Sequence, residues 1–206
     1  EIDLGFRGHG VYVTSTPSGP AFEGWATRWG MTASEGAIER VSIDPYTYEV
    51  TYRTIGDGPP IGICGSGFID ALAELVKCGL IGPRPGFIFD ADTRRLRKGK
   101  RGMEFVLAWK EETGIDEDIV ITQEDISELV KAKAAIHAAI LLLLDYLGVE
   151  EHEIDRILLA GAFGAYMDAE NALVIGLLPE LDPERIIPIG NAAGTGARIA
   201  LLNKDE

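Results

Sequence analysis

Residues 122 to 148 restrict the fold more than any other stretch. Thr122-Gln123-Glu124-Asp125 matches a capping box, and acids in the first turn suit the positive end of the helix dipole. The apolar stripe Ile126, Leu129, Val130, Ile136, Ile140, Leu143, Leu144 and Leu147 recurs at helical spacing until Gly148 supplies a stop. At 1.5 Å per residue the helix is roughly 37 Å long, enough to cross a lobe. Beyond Gly148 the pattern alternates. Arg156 to Leu159 reads as a buried strand, Asp168 caps a helix reaching Ile175, Ile186 to Ile189 is a strand, and Ala197 to Leu202 a closing helix. Strand, helix, strand, helix implies an α/β layer with a partly parallel sheet.

The first half reads differently. Ile2 to Leu4 and Val11 to Thr14 form a hairpin around Gly5, Gly8 and Gly10, and a Pro/Gly loop runs from Ser15 to Gly24. Arg40 to Ile43 and Glu49 to Ile55 make a second hairpin turned by Asp44-Pro45. After the breaker Gly58-Pro59-Pro60, a helix carries Phe68, Leu72, Leu75 and Val76 on one face and stops at Gly79. Residues 82 to 102 read as irregular, and Phe105 to Trp109 and Ile119 to Ile121 as strands. Hairpins first and crossovers later give a mixed sheet.

Composition narrows the function. The 206 residues suit one large domain or two small lobes, and 46% apolar content can bury a core. No run of 18 apolar residues exists to span a membrane. A net charge of −14 argues against a general nucleic-acid binder. Residues 94 to 101 nevertheless hold six cations and no acid, which reads as a solvated hairpin or as a docking patch for an acidic partner. Cys64 and Cys78 form neither a CxxC pair nor a disulfide framework, which suits a reducing cytoplasm. His9, His137 and His152 lack metal-ligand spacing, so no metal site is expected. The chain opens on Glu1-Ile2-Asp3-Leu4-Gly5, like the middle of a strand, so it is expected to be a piece of a longer polypeptide.

Glycine carries the candidate chemistry. Segments 3–10, 62–67, 160–164 and 190–196 lie at junctions between elements, where glycine lets backbone approach a ligand and helix amides face an anion. Any one of them is explained by a tight turn. Together they point to a phosphate-bearing ligand beyond the carboxyl ends of the strands. No GxxxxGK[ST] occurs, nor a GxGxxG after a strand with a following acid, so the P-loop and dinucleotide readings fail. Several other residues read as structural first: Cys64 as packing, Glu23 as an exposed turn acid before a water-positioning group, Asp168 as a cap before a ribose contact. Trp25, Trp29 and Trp109 read as core or interface, with Trp25 and Trp29 able to form a partner-facing pair.

Gly19-Pro20-Ala21-Phe22-Glu23-Gly24, Gly62-Ile63-Cys64-Gly65-Ser66-Gly67, Leu159-Ala160-Gly161-Ala162-Phe163-Gly164 and Gly190-Asn191-Ala192-Ala193-Gly194-Thr195-Gly196-Ala197-Arg198 closely resemble, in order, motifs of the reductive activators of corrinoid proteins. The resemblance covers about residues 3 to 202. It implies an actin/ribonuclease-H-like ATPase lobe, α/β with a mixed sheet flanked by helices, and residues 1–206 as its single C-terminal lobe. The first lobe and the iron–sulfur domain would lie outside this chain. It further implies ATP or ADP with Mg²⁺ as ligand, and a corrinoid protein as partner, reduced from Co(II) to Co(I) by an iron–sulfur centre of the other domains. The isolated lobe is expected to be inactive, and a homodimer stays open. Asp3 and Gly5 would sit in a phosphate-binding hairpin. Gly65, Ser66 and Gly67 would open a helix near the nucleotide, and Gly161, Ala162, Phe163 and Gly164 would form the adenosine loop. The hairpin departs from the family pattern Asp-Ile/Leu-Gly-Thr-Asn-Gly-Glu, because Phe6, Arg7 and His9 replace the Thr, Asn and Glu. Arg7 would then bind phosphate directly, as a planar multi-donor cation. The alternatives are a degenerate hairpin on a non-catalytic partner-binding module, and a small-molecule kinase of the same superfold.

Overall fold

Period-two alternation at the start of the chain produces the first hairpin. β1 (Ile2–Phe6) pairs antiparallel with β2 (Gly10–Thr14), Leu4 facing Tyr12 and Gly5 facing Val11. Ile2 and Leu4 are half-buried while Asp3 and Gly5 are exposed, as alternate residues of a one-sided strand should be. A computed structural model describes residues 2–6, 10–88 and 91–203, so Arg7, Gly8 and His9 at the hairpin tip lie outside the described residues. The loop beyond β2 tightens into a 3-10 turn at Ala21–Glu23 that buries Ala21 and Phe22. Gly24 ends it at φ 86°, with the Met31 amide so near that a Cβ there would lie 2.5 Å from its nitrogen. Only glycine meets both conditions.

β3 (Ala37–Ile43) and β4 (Val50–Thr54) pair antiparallel. The Asp44 carboxylate turns the chain between them by accepting from the Tyr46 and Thr47 amides. β5 (Gly62–Ile63) adds to the other edge of β3 in parallel, giving a mixed three-stranded sheet. α1 (Gly65–Lys77) comes immediately after it and lies on β3. A second three-stranded sheet is an antiparallel meander of β6 (Leu96–Gly99), β7 (Gly102–Ala108) and β8 (Ile119–Thr122). The long helix is α2 (Gln123–Leu147), and its capping box is complete. The Thr122 side chain accepts from the Asp125 amide, and the Asp125 carboxylate accepts from the Thr122 amide. Gly148, at φ 65°, closes the other end.

The core lies between α1, α2 and these two sheets. Its largest fully buried side chains include Phe68, Ile69, Phe105, Ile121, Ile126 and Leu129. Burying a side chain such as Phe68 stabilises the fold by about 1.5–3 kcal/mol.

The last third comprises β9 (Ile157–Ala160), α3 (Gly161–Tyr166), α4 (Ala169–Val174), β10 (Ile186–Gly190) and α5 (Ala192–Leu202). β9 and β10 are parallel, as the alternation implies. Three details differ from the sequence expectation. β9 is not a buried strand: its side chains alternate, with Leu158 51% exposed, because among the described residues β10 is its only strand partner. α5 starts at Ala192 instead of Ala197, because the Asn191 side chain caps it by accepting from the Gly194 amide and the helix absorbs Gly194 and Gly196. The stretch 82–102 contains β6, which the Arg/Lys/Gly composition hides.

Candidate nucleotide-binding site

The turn at Pro20–Gly24, the start of α1 and the start of α3 meet around two phenylalanines. Phe163 of α3 sets its ring 5.8 Å from that of Phe22, tilted by 40°. A Cβ on Gly65 would lie 2.7 Å from the Phe163 ring and would collide with the Phe22 carbonyl oxygen. A Cβ on Gly67 would run into the Ile38 carbonyl. Glycine is therefore required at both positions to let α1 start this close to β3 and to α3. Ser66 between them is buried, with its hydroxyl 3.3 Å from the Cys64 thiol, which also donates to the Ile38 carbonyl. Cys64 is the packing residue that its sequence context suggests.

Two features leave donors for a ligand. Cys64 and Ala160, the residues preceding α1 and α3, supply no side-chain cap, so first-turn amides of both helices lack a side-chain acceptor, those of α1 lying in a buried stretch with Gly65, Ser66 and Gly67. Gly161, at φ 88°, and Gly190, at φ 63°, stand at the carboxyl ends of the parallel β9 and β10, and nothing lies within 4 Å of where a Cβ would be on either. Uncapped amides beside open glycine turns suit the donor needs of a phosphate chain. Gly164 packs on Leu159 behind the turn, while Phe163 is 40% exposed.

Gly65, Ser66, Gly67, Gly161, Ala162, Phe163 and Gly164 thus come from adjoining helix starts. Asp3 and Gly5 share the exposed face of β1, and their hairpin packs on α2, which also touches the Phe22 turn. Arg7 lies outside the described residues.

A polar cluster inaccessible to motif reading holds α1 in place. Asp70, 2% exposed in the middle of α1, accepts from the Val41 amide of β3 and from the Asn171 side chain of α4. Arg40 stands 3.7 Å from Asp70 and 3.9 Å from Asp168. Burial pushes the Asp70 carboxyl above the usual aspartate range, against the pull of Asn171, Val41 and Arg40. Lys77 donates to both Glu74 and Asn171, and Glu74 accepts from the Ile43 amide. One signal was available in the sequence: an aspartate flanked by Ile69 and Ala71 inside an apolar helix. Asp168 is the expected cap, accepting from the Asn171 amide.

The family model for the C-terminal domain of RACo, the ASKHA domain, matches residues 1–206. The chain belongs to this family. It is 41% identical over 221 residues to the corrinoid activation enzyme RamQ of Eubacterium limosum, covering 100% of this chain and 37% of that protein. It is 31% identical over 219 residues to the [Co(II) methylated amine-specific corrinoid protein] reductase of Methanosarcina barkeri, covering 97% and 36%. Among solved structures, a reductive activator for corrinoid, iron–sulfur protein matches at TM-score 0.84 and 46% identity, over 90% of this chain and 30% of that one. The ASKHA α/β fold expected from the motifs is therefore the fold of this chain, which spans about a third of the length of these proteins. No described helix is long and apolar enough to cross a membrane. Among the described residues no group of three or more His, Cys, Asp or Glu is placed to hold a metal ion.

Proposed function

We propose that this chain is the nucleotide-binding C-terminal lobe of a protein that uses ATP to return a corrinoid protein from Co(II) to Co(I). The observation that carries the reading is the contact of Phe163 with Phe22 and Gly65, which joins three of the family motifs at helix starts lacking side-chain caps. ATP, accompanied by Mg²⁺, would supply the free energy by binding one arrangement of the protein more tightly than another. Gly161, Ala162, Phe163 and Gly164 receive the adenosine, Gly65, Ser66 and Gly67 orient the start of α1 toward the nucleotide, and the hairpin of Asp3 and Gly5 serves the phosphates, for which Arg7 has the right chemistry as a multi-donor cation. The apolar wall of Phe22 and Phe163 keeps water away from the base. The one electron added to cobalt comes from an iron–sulfur centre of another domain. Unpaired Cys64 and Cys78 suit the reducing cytoplasm in which such chemistry runs.

Isothermal titration with ATP and Mg²⁺ tests the nucleotide half of the reading. Saturable heat is expected from the protein, and Phe163→Ala is expected to weaken binding by about fivefold, since losing one aromatic contact costs about 1 kcal/mol. Absence of heat from the wild type, in the presence of a corrinoid partner as well, would remove the proposal.

A further inference from the structure

Six cations between residues 94 and 101 suggest a docking patch, but the fold uses several of them internally. Arg95 is buried, donating to the Val106 and Leu107 carbonyls and to Glu49 at 2.6 Å. Arg97 bridges Glu104 and Asp118. Arg94 lies over the Trp109 ring at 4.8 Å. Arg94 just before β6 and Lys98 on it are exposed, and at the tip of the β6–β7 hairpin Lys100 and Arg101 reach solvent and face another exposed group. Lys100, Arg101, Trp25 and Arg28 line one groove of about 480 Å³, floored by the start of α2. The Trp25 side chain is 78% exposed, held out from the turn that Gly24 makes.

Two acids border the groove. Asp125 is committed, accepting from the Thr122 amide and hydroxyl and from the Arg28 amide. Glu124 stands 3.6 Å from Arg101, both side chains being largely exposed, and salt and solvent leave such a pair weak. Three cations against two acids leave the groove positive on a chain of net charge −14, beside an exposed indole; Arg28 stands 3.5 Å from Glu104, so Lys100 and Arg101 are the cations it offers a partner. A bare phosphate is a poor occupant, because the carboxylates at the start of α2 would oppose a compact multivalent anion and the Thr122 side chain already takes the Asp125 amide. An extended segment suits it better. Carboxylates spaced along a chain can meet Lys100 and Arg101 separately while an apolar side chain covers Trp25, the pairing of Trp and Arg common at interface hot spots.

We infer that the groove between Trp25 and the Lys100–Arg101 hairpin tip docks an acidic, apolar-anchored segment of a protein partner. The inference does not depend on nucleotide binding.

Fluorescence anisotropy with a dye-labelled Asp/Glu-rich peptide carrying one central Phe tests it on the whole protein. Saturable binding that weakens with added salt is expected. Trp25→Ala should weaken it by about tenfold, and Lys100→Glu with Arg101→Glu by at least as much, both losses of the size measured when interface anchors are removed. Glu124→Gln should strengthen binding, which a merely unfolded variant cannot do, and circular dichroism confirms that each variant is folded. No saturable binding, or equal binding by the charge-reversed protein, overturns the inference. So does complete displacement of the peptide by an equal concentration of tripolyphosphate, which would make the groove a simple anion site. Titration of ATP and Mg²⁺ into the same variants separates the two proposals, because nucleotide affinity should not change.

Discussion

Asp70 shows how a single residue ties local chemistry to the site. It is the carboxylate that both β3 and α4 hydrogen-bond, so it ties α1 to both of them. Replacing it with alanine leaves the Val41 amide and the Asn171 side chain without their acceptor, at a cost of about 1–3 kcal/mol for each buried group. Its pH dependence has a definite sign. Because burial raises its pKa in the fold, the folded protein holds this proton more tightly than the unfolded chain. The stabilisation from that proton is fully present below the ordinary aspartate range and is lost as pH rises through the folded value. Urea denaturation of Asp70→Asn across acidic pH should therefore show a smaller loss of stability over that window than the wild type. An identical slope would mean that Asp70 is not the group responsible. Gly65 belongs to the same scale. Gly65→Ala forces a methyl against the Phe22 carbonyl and the Phe163 ring, and overpacking of this kind costs about 1–3 kcal/mol. Thermal unfolding should register the loss, and nucleotide titration should show weaker binding, because the phenylalanine contact is displaced.

At the scale of elements, legibility tracks locality. α2 is written in its own residues, from the Thr122–Asp125 box to Gly148, and both ends form as the sequence implies. Thr122→Ala should cost about 0.5–2 kcal/mol in chemical denaturation, the range for loss of a helix cap, and a neutral result would contradict the box. β6 is not written in its residues. Leu96-Arg97-Lys98-Gly99 has little strand character of its own and becomes a strand because β7 pairs with it and Glu104 and Asp118 accept from Arg97. The start of α5 was obscured for another reason: Gly194 and Gly196 read as loop, yet the Asn191 cap carries the helix through them. Tertiary partners and caps can override weak propensity in either direction.

For the whole molecule, the glycine segments were visible as sequence, but the meeting of 62–67 and 160–164 with the 20–24 turn was not, and the β1–β2 hairpin packs on α2 apart from that contact. Residues 22, 65 and 163 are far apart along the chain, and no local period reports that Phe163 will lie against Gly65. Their order could be matched to a family; their contact had to be seen in the fold. The same holds for the groove, where Trp25 and the residue 100–101 tip are brought together only by packing of the meander beside the start of α2. Hydrogen–deuterium exchange with and without ATP and Mg²⁺ tests the central claim most directly, because it reports on each segment separately. Slowed exchange is expected together at 20–24, 62–68 and 160–166 when nucleotide is bound. Protection confined to one of these segments, or to none, would contradict a shared nucleotide site.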